Sequence, residues 1–383
     1  MSKMPGMTIP VDSGAGEAGL YWYPMSQDPV QFQRSYARTG HWDGLIASTG
    51  PTTVNRILFD GDTAMGVQFV SRNNTGAAPV QVKARREVIL AAGSVHTPQV
   101  LMLSGIGPRA HLQQARIPVK VDLPGVGHSY IPSISYHPDR FETLARAFEA
   151  QNPRSHLPSS YTAEQIEGYK QQQSVWGRLM RSKNVVFSEM MMYGPGGSVQ
   201  SLHCMSRGNI LLNTAQPEAE MLVDYRAASN TIDLDVMAEV IKFMRRYMTT
   251  GDLAQYQARE TSPGTGVSTD AQLVNWAKGH IIPSVYHPVG ITAKMPREWG
   301  GVLDENLLVY GVKSLRVVDA SMMPTTVGAT TSTTVYAVAE KAADMIKAQT
   351  QCIHRSPSIC VARKVGTGTE RRATLGTPYT RIG

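Results

Sequence analysis

Three places in the chain carry side chains whose types and spacing could do chemistry. The first is a histidine in a tight apolar turn, Tyr286-His287-Pro288-Val289-Gly290. Imidazole titrates near neutrality, so it can accept a proton from a hydroxyl group and return it within one cycle. The same residue beside a proline also reads as an ordinary satisfied core histidine. The second place is Asp319-Ala320-Ser321, directly after the apolar run Leu315-Arg316-Val317-Val318. A loop crowded with Thr325, Thr326, Thr330, Thr331, Ser332, Thr333 and Thr334 follows it. An acid at the carboxyl end of a strand, a hydroxyl-rich loop and then a helix form an arrangement favoured by ligands with phosphates or electron-rich rings. The helix N-terminus there offers free N–H groups and positive dipole. Read without a ligand, the hydroxyls cap the orphan N–H groups of the helix start. The third place is Gly93-Ser94 after Val88-Ile89-Leu90-Ala91-Ala92. A strand–turn–helix core unit explains it, and so, equally well, does a glycine that lets a phosphate-bearing cofactor approach the backbone.

The elements that must position these residues follow from the pattern around them. Val54–Phe59 and Met65–Val70 read as two strands joined by an Asp60-Gly61-Asp62 turn, and a third strand starts near Val80. The fully apolar Val88–Ala92 reads as a strand buried on both faces, as in a parallel sheet. Thr97 as N-cap and Pro98 as first helical residue predict a short helix stopped by Gly105. Residues 129–200 read as coil and polar helix broken by Pro132, Pro138, Pro153 and Pro158, and Ser206–Leu212 reads as a strand. An amphipathic helix is predicted over 233–248, capped by Asp233, with Leu234, Met237, Val240, Ile241, Met244 and Tyr247 on one face. The last predicted helix is Thr334–Ile346, and after Lys347 apolar periodicity is lost, as in a disordered tail.

Composition removes several classes of function. With 383 residues, 42% of them hydrophobic and 17% charged, the chain has ample material for a large core. No apolar run approaches a membrane span, and no secretory leader opens the chain as given. The formal charge of +7 comes mostly from residues 351–383, where Arg355, Arg363, Lys364, Arg371, Arg372 and Arg381 face a single Glu370. A nucleic-acid footprint belongs on a folded face beside a motif, so nucleic acid is rejected as a partner. Cys204, Cys352 and Cys360 form neither a disulfide framework nor a zinc site. Gly14-Ala15-Gly16-Glu17-Ala18-Gly19 matches a dinucleotide fingerprint, but a proline breaks the segment before it and Leu20-Tyr21-Trp22-Tyr23-Pro24 cannot open a helix. It reads as a Gly-rich loop. Asn73-Asn74-Thr75 is a weak hint of secretion.

Gly93-Ser94-Val95-His96-Thr97-Pro98-Gln99-Val100-Leu101-Met102-Leu103-Ser104-Gly105-Ile106-Gly107 resembles one of the two signature motifs of the glucose–methanol–choline (GMC) family of flavin oxidoreductases. The 286–346 stretch resembles that family's C-terminal block. Similarity continues through Leu123-Pro124-Gly125-Val126-Gly127, Ser206-Arg207-Gly208 and the 224–262 region, and covers most of residues 10–350. Fungal members of the aryl-alcohol and choline dehydrogenase type are the most alike. The resemblance implies a mixed α/β fold: an incomplete Rossmann-like FAD-binding domain, and a substrate domain whose mostly antiparallel sheet is backed by helices. It assigns 1–45 and 129–284 to the substrate domain, 46–128 and 285–350 to the FAD-binding domain, and 351–383 to the tail. It implies FAD as cofactor, a small-molecule alcohol as substrate, and oxygen or a quinone-like compound as electron acceptor. By the same resemblance His287 is the catalytic base and Thr330 aligns with the second active-site residue. Gly93 and Ser94 are cofactor-binding, Asp319, Ala320 and Thr331 meet the flavin, and Val54 lies on the strand whose backbone meets the adenine.

Three departures bear on these expectations. The family's opening strand, dinucleotide fingerprint and first signature loop are expected before the point where this chain starts. His128-Ser129-Tyr130-Ile131 stands where the family usually has an Asn and then Leu-Gln-Asp-His. Thr330 replaces a usual His or Asn; it can donate a hydrogen bond but is no base at neutral pH. The resemblance therefore leaves three readings open. One is an FAD-dependent oxidoreductase acting on CH–OH groups. Another is a truncated, catalytically silent fragment that binds flavin weakly or not at all, and the third is a GMC-fold protein running a non-redox acid–base reaction. Strands Val88–Ala92 and Leu315–Val318 are expected to present sticky edges and poor solubility.

Overall fold

The computed structural model of the chain describes residues 30, 33–34, 52–71, 77–130, 141–182, 185, 187–193, 196–282, 286–328 and 330–353. The Gly14–Gly19 run and the Asn73 sequon lie outside them. The residues up to Ala339 form one compact unit, and a second begins at Glu340.

In chain order, β1 (Thr52–Asp60) and β2 (Thr63–Ser71) form the expected antiparallel hairpin, and β3 (Val80–Lys83) pairs with β2. Next come β4 (Val88–Leu90), α1 (Gly93–Leu103), β5 (Ile106–Gly107), α2 (Arg109–Gln114), β6 (Val121–Asp122) and β7 (His128–Tyr130). The helical and hairpin region holds α3 (Phe141–Ala150), α4 (Ala163–Met180), β8 (Ser188–Tyr193) and β9 (Gly196–Ser201). It is followed by β10 (Gly208–Leu211), β11 (Leu222–Asp224), α5 (Ile232–Thr249) and α6 (Asp270–His280). The described part closes with β12 (Leu315–Val317) and α7 (Thr331–Ile353). This is a mixed α/β fold of small sheets. β12 and β4 run parallel, whereas β11-β10-β7 and β8-β9 are antiparallel.

The parallel pair does most to place the candidate site. Leu315 faces Val88, Arg316 faces Ile89 and Val317 faces Leu90, so the two strands end side by side. Both β12 and the outer residues of β4 are buried, but Ile89 is 45% exposed. The expected burial of β4 on both faces is therefore corrected: its second face is uncovered. Buried Arg316 is held by Glu87, 3.0 Å from its Nε, and donates through Nη1 to the Asn306 carbonyl.

Local expectations fail where tertiary partners outbid local ones. Helix α1 starts at Gly93, not at Thr97. The Thr97 hydroxyl accepts from the Ala92 N–H inside the first turns, and Pro98 sits within the helix, where it cannot donate to the preceding turn. The stop at Gly105 holds: its φ is +82° and a Cβ there would lie 2.5 Å from the Pro118 carbonyl oxygen. Asp233 does not cap α5. It lies in the first turn and turns its carboxylate to the N–H groups of Met205 and Ser206. The region read as coil and polar helix holds the β8–β9 hairpin, which periodicity did not indicate. α4 starts from a capping box in which Thr162 and Gln165 satisfy each other's backbone N–H groups. Finally, α7 runs beyond Lys347 to Ile353, so the predicted tail begins too early; in the second unit Lys347 lies 3.8 Å from Asp344 one turn earlier.

Candidate functional site

Because β4 and β12 are parallel neighbours, the turn after one meets the turn after the other. Asp319 follows β12, and its Oδ2 accepts from the Gly93 N–H at 3.0 Å and the Thr97 hydroxyl at 2.6 Å. Its Oδ1 accepts from the Ser321 N–H at 2.9 Å and from the Ser321 hydroxyl at 2.5 Å. Four donors thus converge on one buried carboxylate. Asp319 fastens the opening of α1 to the short 3₁₀ turn Ala320–Met322. Gly93 has φ +80°, and no atom lies within 4 Å of where its Cβ would stand. The glycine is thus required by backbone conformation, and its outer side faces open space.

The histidine turn is tied to the same place. The Ser94 hydroxyl donates to the Pro288 carbonyl oxygen at 2.6 Å, which brings the opening of α1 against the residue after His287. Beyond Pro288 the chain is pinned from two sides. Thr292 and Lys294 donate to the carbonyls of Ser321 and Met322, while Gly127 donates to that of Ile291. Tyr286 enters the turn with φ +63°, in the left-handed region that a bulky side chain seldom adopts. His287 itself is half-buried. Burial lowers its pKa from the ordinary histidine value, and the charge of Glu189 on β8 pulls partly the other way. At neutral pH the imidazole is therefore the uncharged, proton-accepting form.

The threonine-rich loop is reached from the opposite side. Gln172 on α4 donates from Nε2 to the Pro324 carbonyl oxygen at 2.9 Å, and His203 Nδ1 lies 3.3 Å from the Thr326 hydroxyl. The loop then delivers half-buried Thr330 and buried Thr331, the first residue of α7. Of the residues singled out in the sequence, Gly93, Ser94, Asp319 and Ala320 meet at the strand ends, and His287 sits one residue from Ser94's partner. Thr330 and Thr331 follow in the segment anchored by Asp319, Gln172 and His203. Val54 lies in β1 opposite Phe69 and takes no part in these bonds among the described residues.

Sequence reasoning missed Thr97 as a ligand of Asp319, although its hydroxyl lay inside the motif already singled out. It also missed Glu189 and His203. Glu189 lies in a segment that gave no strand signal, and His203 lies between that segment and the strand read at 206–212. No local pattern betrays either.

A family model for GMC oxidoreductases matches residues 48–131 and another matches residues 205–339, together more than half of the chain. The chain belongs to the GMC oxidoreductase family. Among solved structures it is similar to an FAD-dependent oxidoreductase from Chaetomium thermophilum, with TM-score 0.84 and 27% identity, covering 90% of this chain and 70% of that one. It is also similar to a fungal aryl-alcohol oxidase, with TM-score 0.78 and 28% identity, covering 86% of this chain and 66% of that one. A curated relative, dehydrogenase xptC of Emericella nidulans, is 28% identical over 402 residues, covering 88% of this chain and 64% of the relative. The chain spans about three-fifths of the length of the curated relatives it matches.

FAD is the cofactor that GMC membership brings. The residues present fit its flavin end. The N-terminus of α1 opens on a glycine whose N–H is held by Asp319 and whose outer side is vacant. The open side of that glycine lets a planar ring approach the backbone closely.

Proposed function

We propose that this chain forms the flavin-covering and substrate-binding part of an FAD-dependent GMC oxidoreductase that oxidises a CH–OH group. The observation that carries this reading is the fastening of Gly93, Thr97 and Ser94 to Asp319 and Pro288. Through it, two stretches remote in sequence bring the open side of Gly93 and a proton-accepting imidazole to one place.

In this reading His287 takes the hydroxyl proton of the alcohol as the C–H bond breaks, leaving a carbonyl product. FAD, when bound, would supply the acceptor for the hydride, with oxygen or a quinone-like compound as the final electron acceptor. Half-burial keeps His287 uncharged until the substrate arrives, and the imidazolium formed then offsets negative charge building beside it. Thr330 donates a hydrogen bond to the substrate oxygen and supplies no base of its own. Gly93, Ser94, Asp319, Ala320 and Thr331 shape the flavin side, and the backbone at Val54 meets the adenine.

The test is the visible spectrum of the purified chain after incubation with FAD and gel filtration. A retained flavin band, bleached by an aromatic or aliphatic alcohol under anaerobic conditions and not bleached in His287→Ala, supports the reading. A colourless protein would overturn it for this polypeptide.

A further inference from the structure

His203 is buried in an aromatic cluster. Its ring centroid lies 4.4 Å from that of Trp176 and 5.0 Å from that of Phe187, and Phe187 in turn packs edge-on against Phe141. A phenylalanine would pack as well at such a position, and burying an imidazole among rings costs free energy unless its polar atoms find partners. What the imidazole adds is reach to the hydroxyl of Thr326, itself buried, across 123 residues of chain.

The support behind His203 is stiff. The next residues are locked in place: Arg207 Nη1 donates to the Cys204 carbonyl at 2.8 Å, and the N–H groups of Met205 and Ser206 donate to the buried Asp233 carboxylate at 2.8 and 2.9 Å. Arg207 also grips Gln172 Oε1 at 2.9 Å through Nη2, and the amide nitrogen of that same Gln172 holds the Pro324 carbonyl. Two struts from one braced block, Gln172 and His203, therefore meet the loop at Pro324 and Thr326. A few residues later the loop supplies Thr330 and Thr331.

We propose that His203 is a positioning residue for the threonine-rich loop, acting through Thr326 to fix where Thr330 and Thr331 enter the site. The significance of that placement for flavin rests on the function proposed above.

The test compares His203→Phe, His203→Asn and Thr326→Val with the full wild-type chain. Hydrogen–deuterium exchange over 323–333 reads the strut in the protein without flavin. Flavin fluorescence quenching reads the Kd for FAD. His203→Phe keeps the ring packing and removes the bond. It is expected to speed exchange of that segment about three- to tenfold, the equivalent of one hydrogen bond, and to weaken FAD by a similar factor. His203→Asn, whose short amide can restore a polar contact, is expected to recover part of both effects. Thr326→Val is expected to match His203→Phe, and the double variant to add nothing further. Unchanged exchange in His203→Phe would overturn the proposal, as would faster exchange with unchanged FAD affinity. If the wild-type chain itself binds no FAD, the proposed function fails instead, and the exchange comparison still decides the strut.

Discussion

The hydroxyl of Thr97 lies 2.6 Å from the carboxylate oxygen of Asp319, 222 residues away in sequence, and that same oxygen accepts the N–H of Gly93. Thr97 also accepts from the Ala92 N–H, so it relays one carboxylate into the backbone of two successive turns. The relationship decides how the β4–α1 and β12–α7 segments meet. An amide at position 319 would have to turn its NH₂ group toward one pair of donors. Asp319→Asn is therefore expected to lower stability by about 1–3 kcal/mol, and Thr97→Val by about 1 kcal/mol, in urea unfolding. Additive losses in the double variant would show that the two residues act independently.

The base proposed at His287 carries an expected pH signature. Its pKa is lowered by burial and partly restored by Glu189. In an active preparation kcat/KM should rise with pH through an apparent pKa below 6.5 and then stay flat as far as this group decides. Glu189→Gln removes the restoring charge and should move that rise to still lower pH. A shift to higher pH would contradict the assignment.

His128 is expected to set part of the stability lost at low pH. It is fully buried, with Nδ1 3.2 Å from the Val126 carbonyl oxygen, and burial lowers its pKa from 6.5 to about 4. Between those values the unfolded chain binds a proton that the folded chain refuses. Stability is thus full above pH 6.5 and falls as pH drops toward about 4, by roughly 3 kcal/mol in total. A His128→Asn variant should show a shallower loss across that window in chemical denaturation at several pH values; an identical slope would assign the acid sensitivity elsewhere.

Gly127 has no room for a side chain. Its φ is +81°, and an added Cβ would lie 2.4 Å from the carbonyl oxygen of Ile210, in the strand that Gly127 itself bonds. Gly127→Ala should cost about 3 kcal/mol, combining left-handed backbone strain with displacement of β10. A melting temperature within a degree or two of wild type would refute the close approach.

Ile89 is 45% exposed on the two-stranded β4–β12 sheet. The purified chain is expected to self-associate through this face, and Ile89→Thr to increase the monodisperse fraction in light scattering. Equal aggregation in both proteins would place the adhesive surface elsewhere.

Much of this protein is legible without coordinates. The Asp60-Gly61-Asp62 turn, the helix stop at Gly105 and the strand after Ser206 follow from local conformational preference and apolar pattern. Local physics alone selects them. The 93–107 motif and the 286–346 stretch also announce GMC membership. Sequence by itself could not reveal which hydroxyls bond to which carboxylates, since that depends on segments brought together only when β4 and β12 pair. Thr97 has the sequence context of a cap but bonds Asp319, and Asp233 has that of a cap but anchors residues 205 and 206. In both cases a buried carboxylate gains more from several converging donors than from one helix end. The hairpin that carries Glu189, and the aromatic nest that aims His203 at Thr326, likewise exist only in the folded chain, because no short window contains both members of either contact.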